Sequence, residues 1–161
     1  MLMRSLVILA FALPPAEPMM LTHADRCESS ENVARCSCAP GNQTAPQAAA
    51  ASALVITGVV QKIERTTDRL DGNPLVHVTV RADAKWKGTS TDSVFVIVTS
   101  SPSGFCGYNF ELDREYAIFA TSTAMKDEYY TSICHRTRDA RSAAKDMTAL
   151  GSPTHSFRWN R

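Results

Sequence analysis

The chain has 161 residues, of which 44% are hydrophobic and 20% are charged, and its formal net charge at pH 7 is +1. This length and composition are typical of one folded domain with a sizeable hydrophobic core. The near-neutral charge, without a stripe of basic residues, argues against a nucleic-acid partner, and no apolar run reaches the roughly 18 residues needed for a membrane span.

The amino-terminal residues have the pattern of an export signal. A short basic start, Met1–Arg4, precedes the apolar run Ser5–Leu13, and Thr22-His23-Ala24 offers a cleavage site. We therefore expect a cleaved signal peptide over residues 1–24, with a buried core helix as the alternative, and a flexible polar leader over residues 25–35. A secreted, periplasmic or cell-envelope location would expose the cysteines to an oxidising compartment, where disulfides are common.

The spacing of four of the five cysteines predicts how the early and late parts of the chain are connected. Cys36 and Cys38 are one residue apart. In an extended segment their side chains diverge, so we expect each to bond a different distant partner. Pairing Cys36 with Cys106 and Cys38 with Cys134 would fasten the early segment at two places late in the chain. The alternative is a metal site of four thiolates, but the long spacings and the oxidising destination favour disulfides. The fifth cysteine, Cys27, is expected to be a free or intermolecular thiol.

Hydrophobic periodicity predicts a mostly β domain. The alanine-rich segment Gln47–Ser52 predicts one or two helical turns, and Thr66–Pro74 predicts a turn-rich loop. Alternating or continuous apolar runs predict five strands, with a bulge or close approach at Gly58. These strands are Leu54–Val60, Val76–Trp86, Val94–Val98, Tyr116–Ala120 and Tyr129–Ile133.

After the last strand the period becomes helical. A helix is predicted with Asp139 near its start and Gly151 at its end, and its apolar face consists of Ala140, Ala143, Ala144, Met147 and Leu150. Residues 151–161 lack a pattern and predict a disordered tail. Five strands and a terminal helix predict an all-β fold with a C-terminal helix, namely a disulfide-stapled, five-stranded β-barrel of the oligonucleotide/oligosaccharide-binding (OB) type. Trp86 is expected either to plug one end of this barrel or to anchor a partner.

Several short motifs together resemble a known family. They are, in order, Cys36-Ser37-Cys38, Ala53–Val60, Trp86-Lys87-Gly88, Cys106-Gly107 and Cys134–Arg138. This set resembles the inhibitory domain of the tissue inhibitors of metalloproteinases (TIMPs), a branch of the netrin-like family, and above all its single-domain bacterial type. The resemblance covers residues 36–150 and implies an OB-type barrel to which both cysteines of the Cys-x-Cys segment are disulfide-bonded. The family's third inhibitory-domain disulfide and its second subdomain have no counterpart in this sequence.

The resemblance also implies how such a domain would act. In the family, the free α-amine and the carbonyl oxygen of the first cysteine chelate the catalytic zinc of a protease. Carried over, Cys36 would be the chelator, Ser37 would enter the adjoining pocket, and the contact surface would also include Cys38 and Ser103-Gly104-Phe105-Cys106. Cleavage after Ala24 would leave eleven residues ahead of Cys36, and an acylated nitrogen is not a metal ligand. The alternative is therefore a non-inhibitory netrin-like protein-interaction module of the cell envelope.

The sequence contains no recognisable catalytic set. It has neither Gly-x-Ser-x-Gly nor His-Glu-x-x-His, and its four histidines are scattered. We therefore expect a non-enzymatic domain with no cofactor and no metal of its own, whose partner is a protein, with a zinc metalloprotease as the favoured candidate. Arg136, Arg138 and Arg141 are expected to be solvated near the start of the helix, with an anion site as the alternative.

Overall fold

The computed structural model describes residues 36, 38, 43–70, 73–101 and 106–159, with the backbone alone for residues 67–70 and 73. The predictions for the signal peptide, the leader, Cys27, Ser37 and Ser103–Phe105 lie outside the described residues. Across the described part, no helix combines the length and the apolar character needed to cross a bilayer.

The described residues form mostly strands, with two short helices. In chain order the elements are α1 (Ala45–Ala51), β1 (Leu54–Leu70), β2 (Asn73–Lys87), β3 (Val94–Ser100), β4 (Glu115–Ser122), β5 (Glu128–Tyr130), β6 (Arg138–Asp139), α2 (Ala144–Leu150) and β7 (His155–Ser156). The predicted mostly β fold with a C-terminal helix is thus confirmed.

Five of these strands close into a ring. Hydrogen-bonded neighbours run β1-β2-β3-β5-β4, and β4 pairs with β1 to complete the circuit. The pairs are antiparallel except for β3 with β5, which run parallel. Outside the ring order, β6 pairs with β4 and β7 pairs with β2.

The interior of the ring holds the main core. Alternation along β2 directs Val76, Val78, Val80 and Ala82 into it, as the period-two pattern predicts. Their partners come from the other long strands and from the segment ahead of β4, including Leu54, Ile56, Phe95, Ile97, Phe110, Tyr116 and Ile118. This burial of branched and aromatic side chains is the main force that holds the strands together.

A second, smaller core joins the helices to the ring. Val55 and Phe119 are fully buried there and pack with Ala48 of α1, while Met147 and Leu150 of α2 pack against them. Trp86, predicted as the plug of a barrel end or as a partner anchor, belongs to this second cluster. Its indole N–H donates to the carbonyl oxygen of Gly151 at 2.8 Å, so it helps to hold the end of α2.

Gly58 occupies the irregular position that the sequence predicts. The register between β1 and β2 shifts between Thr57 and Gly58. A Cβ on Gly58 would lie 2.5 Å from the carbonyl oxygen of Arg81 and 2.8 Å from the Cα of Ala82. The two strands therefore approach so closely that only glycine fits without a backbone shift.

Three predicted boundaries are wrong. The loop predicted over Thr66–Pro74 is largely strand, because β1 and β2 continue as a hairpin to the pair Leu70 and Asn73. The last of the five predicted strands, observed as β5, ends at Tyr130 rather than Ile133. Helix α2 begins at Ala144 rather than near Asp139. Asp139 instead belongs to β6, where it pairs with Tyr116 of β4, and a turn follows it.

The described part of the predicted disordered tail, residues 151–159, is ordered against the ring. Ser156 pairs with Ala84 of β2, and the Thr154 hydroxyl donates to the carbonyl oxygen of Lys85 at 2.9 Å. Phe157 packs against the main core. This segment carries two aromatic anchors but no periodic pattern, which is why the sequence prediction missed it.

Candidate functional site

Two disulfide bonds bring the early cysteines to the late loops. Cys36 is bonded to Cys106 and Cys38 to Cys134, with Cα–Cα distances of 5.2 and 5.1 Å. These are the pairs proposed from the sequence. Since each sulfur is bonded to another sulfur, the alternative of a four-thiolate metal site does not apply. Such bonds are typical of proteins in an oxidising, non-cytoplasmic compartment.

The loop that carries Cys106 is fixed by a close backbone approach. Cys106 adopts a left-handed conformation, with φ of 59°. A Cβ on the next residue, Gly107, would overlap the carbonyl oxygen of Ser100. The N–H of Tyr108 then donates to the Thr99 hydroxyl at 2.8 Å. Gly107 is therefore required where the chain passes directly over the end of β3.

The loop that carries Cys134 is anchored on β4 by two buried threonines. The Thr131 hydroxyl donates to the carbonyl oxygen of Phe119 at 2.9 Å, and the Thr137 hydroxyl accepts the N–H of Phe119 at 3.0 Å. The two hydroxyls also lie 2.7 Å apart. Both ends of the loop are thus bonded to one residue of the ring, which leaves Cys134 on a short, supported turn.

Ser132 and His135 shape the turn itself. The N–H of Ser132 donates to Nδ1 of His135 at 3.1 Å, and the Ser132 hydroxyl, 2.9 Å from the same nitrogen, accepts the N–H of Cys134. Burial lowers the pKa of His135 below its ordinary value, so its neutral form is favoured. Because Ser132 is buried, this serine–histidine contact serves the turn rather than presenting a nucleophile.

Arg136 ties the turn to both helices. Its Nε and Nη2 donate to the two carboxylate oxygens of Asp146 in α2, at 2.8 and 2.7 Å, and Nη1 donates to the carbonyl oxygen of Gln43 ahead of α1. The hydrogen bonds to Asp146, together with its negative charge, raise the pKa of Arg136 above its ordinary value. The expectation of a simply solvated arginine is therefore wrong for Arg136, which is a structural crosslink.

The two disulfides and their loops form a surface here called the disulfide ridge, in which three residues are exposed and Cys36 and Cys106 are half-buried. Its residues are Cys36, Cys38, Cys106, Ile133 and Cys134. The N–H of Ile133 donates to the carbonyl oxygen of Cys106 at 2.9 Å, which joins the two loops directly. The Ile133 side chain is 48% exposed. A shallow cavity of about 210 Å³ adjoins the ridge beside Cys38 and Cys134. A crosslinked surface that includes an exposed apolar side chain is suited to binding a protein.

Ile133 was not among the residues predicted for this surface. The run Tyr129–Ile133 has the composition of a strand, which implied a buried role for its last member. The order of the chain alone does not show that the loops after β3 and β5 meet. The feature of the sequence that could have indicated a surface role for Ile133 is its position directly before Cys134, a cysteine of a predicted disulfide.

A scan against models of known protein families found none that matches this chain, and a search of curated proteins found no similar sequence. Within the described residues, no group of three or more His, Cys, Asp and Glu side chains is arranged to hold a metal ion. The features of the chain that bear on its function are therefore the geometry of the ridge and the resemblance in the sequence.

Proposed function

We propose that this chain is an exported, non-enzymatic TIMP-like domain that inhibits a zinc metalloendopeptidase through the disulfide ridge. The observation that carries the proposal is the pair of disulfides: both cysteines of the Cys-x-Cys segment are bonded to two loops that are themselves joined through Ile133 and Cys106. A segment held in this way loses little conformational freedom on binding, which favours affinity.

We further propose that the ring of strands is an OB-type barrel of the netrin-like kind. Support comes from the strand order β1-β2-β3-β5-β4, from the closing pair of β4 with β1, and from the parallel pairing of β3 with β5. In such a barrel the segment before β1 and the loops after β3 and β5 can meet at one end. That arrangement agrees with the positions of the four bonded cysteines.

The chemistry of inhibition follows from what catalytic zinc accepts. A catalytic zinc ion keeps one coordination position for water or substrate. A neutral α-amine and the carbonyl oxygen of Cys36 would displace that water and chelate the ion. Ser37 would enter the adjoining pocket, and Cys38, Ile133 and the loop of residues 103–106 would contact the enzyme around it. Since an unperturbed α-amine has a pKa of about 8, binding should tighten as the pH rises from 6 to 8.

The proposal is tested by changing only what precedes Cys36 in the chain. Three forms are compared for inhibition of zinc endopeptidases such as thermolysin: a chain that begins at Cys36, the same chain with one added alanine, and a chain that begins at Asp25. We expect inhibition from the first form and a loss of at least about 100-fold in the other two, because a direct zinc ligand has been acylated. Amino-terminal sequencing of the exported protein shows which form the cell makes.

Each outcome decides between the two candidate functions. Equal inhibition by all three forms would show that zinc chelation is not the mechanism. If no form inhibits any of the zinc endopeptidases tested although both disulfides are intact, the non-inhibitory interaction module is the better description. A natural chain that begins at Asp25 would favour the same alternative, because its Cys36 nitrogen lies within a peptide bond.

A further inference from the structure

A second cleft on the ring is lined by residues other than those of the disulfide ridge. Val59 of β1 pairs with Arg81 of β2 on one side and with Glu115 of β4 on the other. The three residues therefore form a row across three strands. Adjacent strands are about 4.8 Å apart, so the backbones of Arg81 and Glu115 are separated by roughly 10 Å, with Val59 between them.

The row lies under a cleft of about 510 Å³, lined by Val59, Arg81, Asp83, Glu115, Phe157 and Trp159. The last two residues belong to the ordered segment after β7, which is fastened to β2. The N–H of Phe157 donates to the carbonyl oxygen of Asp83 at 2.9 Å, and the indole N–H of Trp159 donates to that of Ala82 at 2.8 Å. The aromatic wall of the cleft is thus held in place by two hydrogen bonds.

The charged groups of the cleft are not satisfied by one another. The guanidinium of Arg81 lies 5.0 Å from the centre of the Trp159 ring. Its Nε is buried and has no hydrogen-bond partner in the described part of the chain. Among the described residues no ion pair within 4.0 Å joins Arg81 to Asp83 or Glu115. An unpaired buried donor is costly, and the guanidinium to which it belongs carries a charge that neither carboxylate of the cleft neutralises in an ion pair.

We propose that this cleft binds a small zwitterion, namely a free α-amino acid with an apolar side chain. Arg81 would bind the carboxylate, Asp83 and Glu115 would bind the ammonium group, and the side chain would lie between Val59 and Phe157. The volume of the cleft is sufficient for such a molecule.

The distribution of charge selects this class of ligand. A ligand with a carboxylate alone would be repelled by Asp83 and Glu115, which outnumber the single guanidinium. An amine alone would leave Arg81 without an acceptor and would meet its positive charge. A zwitterion satisfies both kinds of group, because each of its charges faces an opposite charge in the cleft.

The test uses the full exported chain with its disulfides intact and three matched probes: L-leucine, N-acetyl-L-leucine and L-leucinamide. Binding is followed by the NMR signals of the Trp159 indole N–H and the Arg81 Nε–H, with the Trp86 indole N–H as an internal reference. We expect saturable shifts with leucine and affinities at least about tenfold weaker for the two blocked probes, because each has lost one charge-assisted contact. Glycine should also bind more weakly than leucine, because it has no side chain to cover Val59.

Substitutions assign the contacts. Arg81→Gln and Glu115→Gln should each weaken leucine binding at least about tenfold, whereas Arg158→Gln, an exposed neighbour outside the cleft, should leave it unchanged. An unchanged Trp86 signal in every variant verifies the fold. Absence of any shift at 10 mM leucine would overturn the proposal, as would equal affinities for the three probes or full affinity in Arg81→Gln. The proposed inhibition does not depend on this cleft, so either proposal can fail without the other.

Discussion

Removal of one disulfide at a time tests how the ridge is held. The two bonds span 70 and 96 residues of sequence, but each closes a shorter loop while the other is intact. That loop runs through the segment between Cys36 and Cys38 and the segment between Cys106 and Cys134, about 30 residues in all. A loop of this length corresponds to about 3.6 kcal/mol in the chain-entropy model.

Removal of the second disulfide should therefore lower the free energy of unfolding by more than removal of the first. Without its neighbour, each disulfide closes its full span, which corresponds to about 4.4 kcal/mol for Cys36–Cys106 and about 4.7 kcal/mol for Cys38–Cys134. The protein without either bond should lose about 8 kcal/mol, a large part of the stability of an ordinary domain. A single removal should lower the melting temperature by roughly 10–15 °C.

The assay is urea unfolding of four proteins that all carry Cys27→Ser, which prevents exchange with the fifth cysteine. They are the otherwise unchanged protein, Cys36→Ser with Cys106→Ser, Cys38→Ser with Cys134→Ser, and all four substitutions together. Alkylation of unreduced protein should find no free thiol in the first three. A single-bond protein as stable as the parent would refute the loop argument, and alkylation of the remaining cysteines would refute the pairing.

Three further predictions concern the loops and the helices. Gly107→Ala should cost about 3 kcal/mol or more in urea unfolding, because its Cβ would overlap Ser100. Gly151→Ala meets open space but must hold a φ of 75° and a ψ of −155°, a combination that favours glycine, and should cost about 1–3 kcal/mol. Arg136→Ala should cost about 2 kcal/mol, because it removes the bidentate partner of the largely buried Asp146 carboxylate and leaves only Arg138, whose Nε lies 3.6 Å away; an unchanged unfolding midpoint would contradict this. Burial lowers the pKa of His135 in the folded protein, so its contribution to stability is complete above its ordinary value of 6.5 and is lost as the pH falls below it. His135→Asn should flatten this part of the pH–stability curve, and an identical curve would show that His135 is not responsible.

The fold could be predicted where local pattern and tertiary packing agree. The alternation of Val76, Val78 and Val80 and the apolar run of β3 are found as strands, because each side chain has one face of the ring to occupy. The far end of β1 could not be predicted in this way. Lys62 and Glu64 are charged and exposed, and the strand persists there because it pairs with β2.

Of the candidate site, only the positions of the cysteines and their pairing could be predicted from the sequence. Thr131 and Thr137 are six residues apart and have no pattern that indicates a shared contact with Phe119. The role of Arg136 depends on a carboxylate ten residues later in the next helix, and a surface location was the reasonable expectation from sequence. Likewise, Phe157 and Trp159 are two aromatic residues in a polar segment, and their position against β2 depends on hydrogen bonds to the carbonyl oxygens of Asp83 and Ala82 that no periodic pattern indicates.

Closure of the ring depends on its shortest member. β5 has three residues, and only two of them pair with β4 on one side. Local opening should therefore begin there, and the backbone amides of Glu128–Tyr130 should exchange with solvent faster than those at the centre of β1. The same chain continues directly to Cys134 and its bond to Cys38. The crosslink therefore limits how far the opened ends can separate, and this restriction favours renewed pairing of β5 with its neighbours.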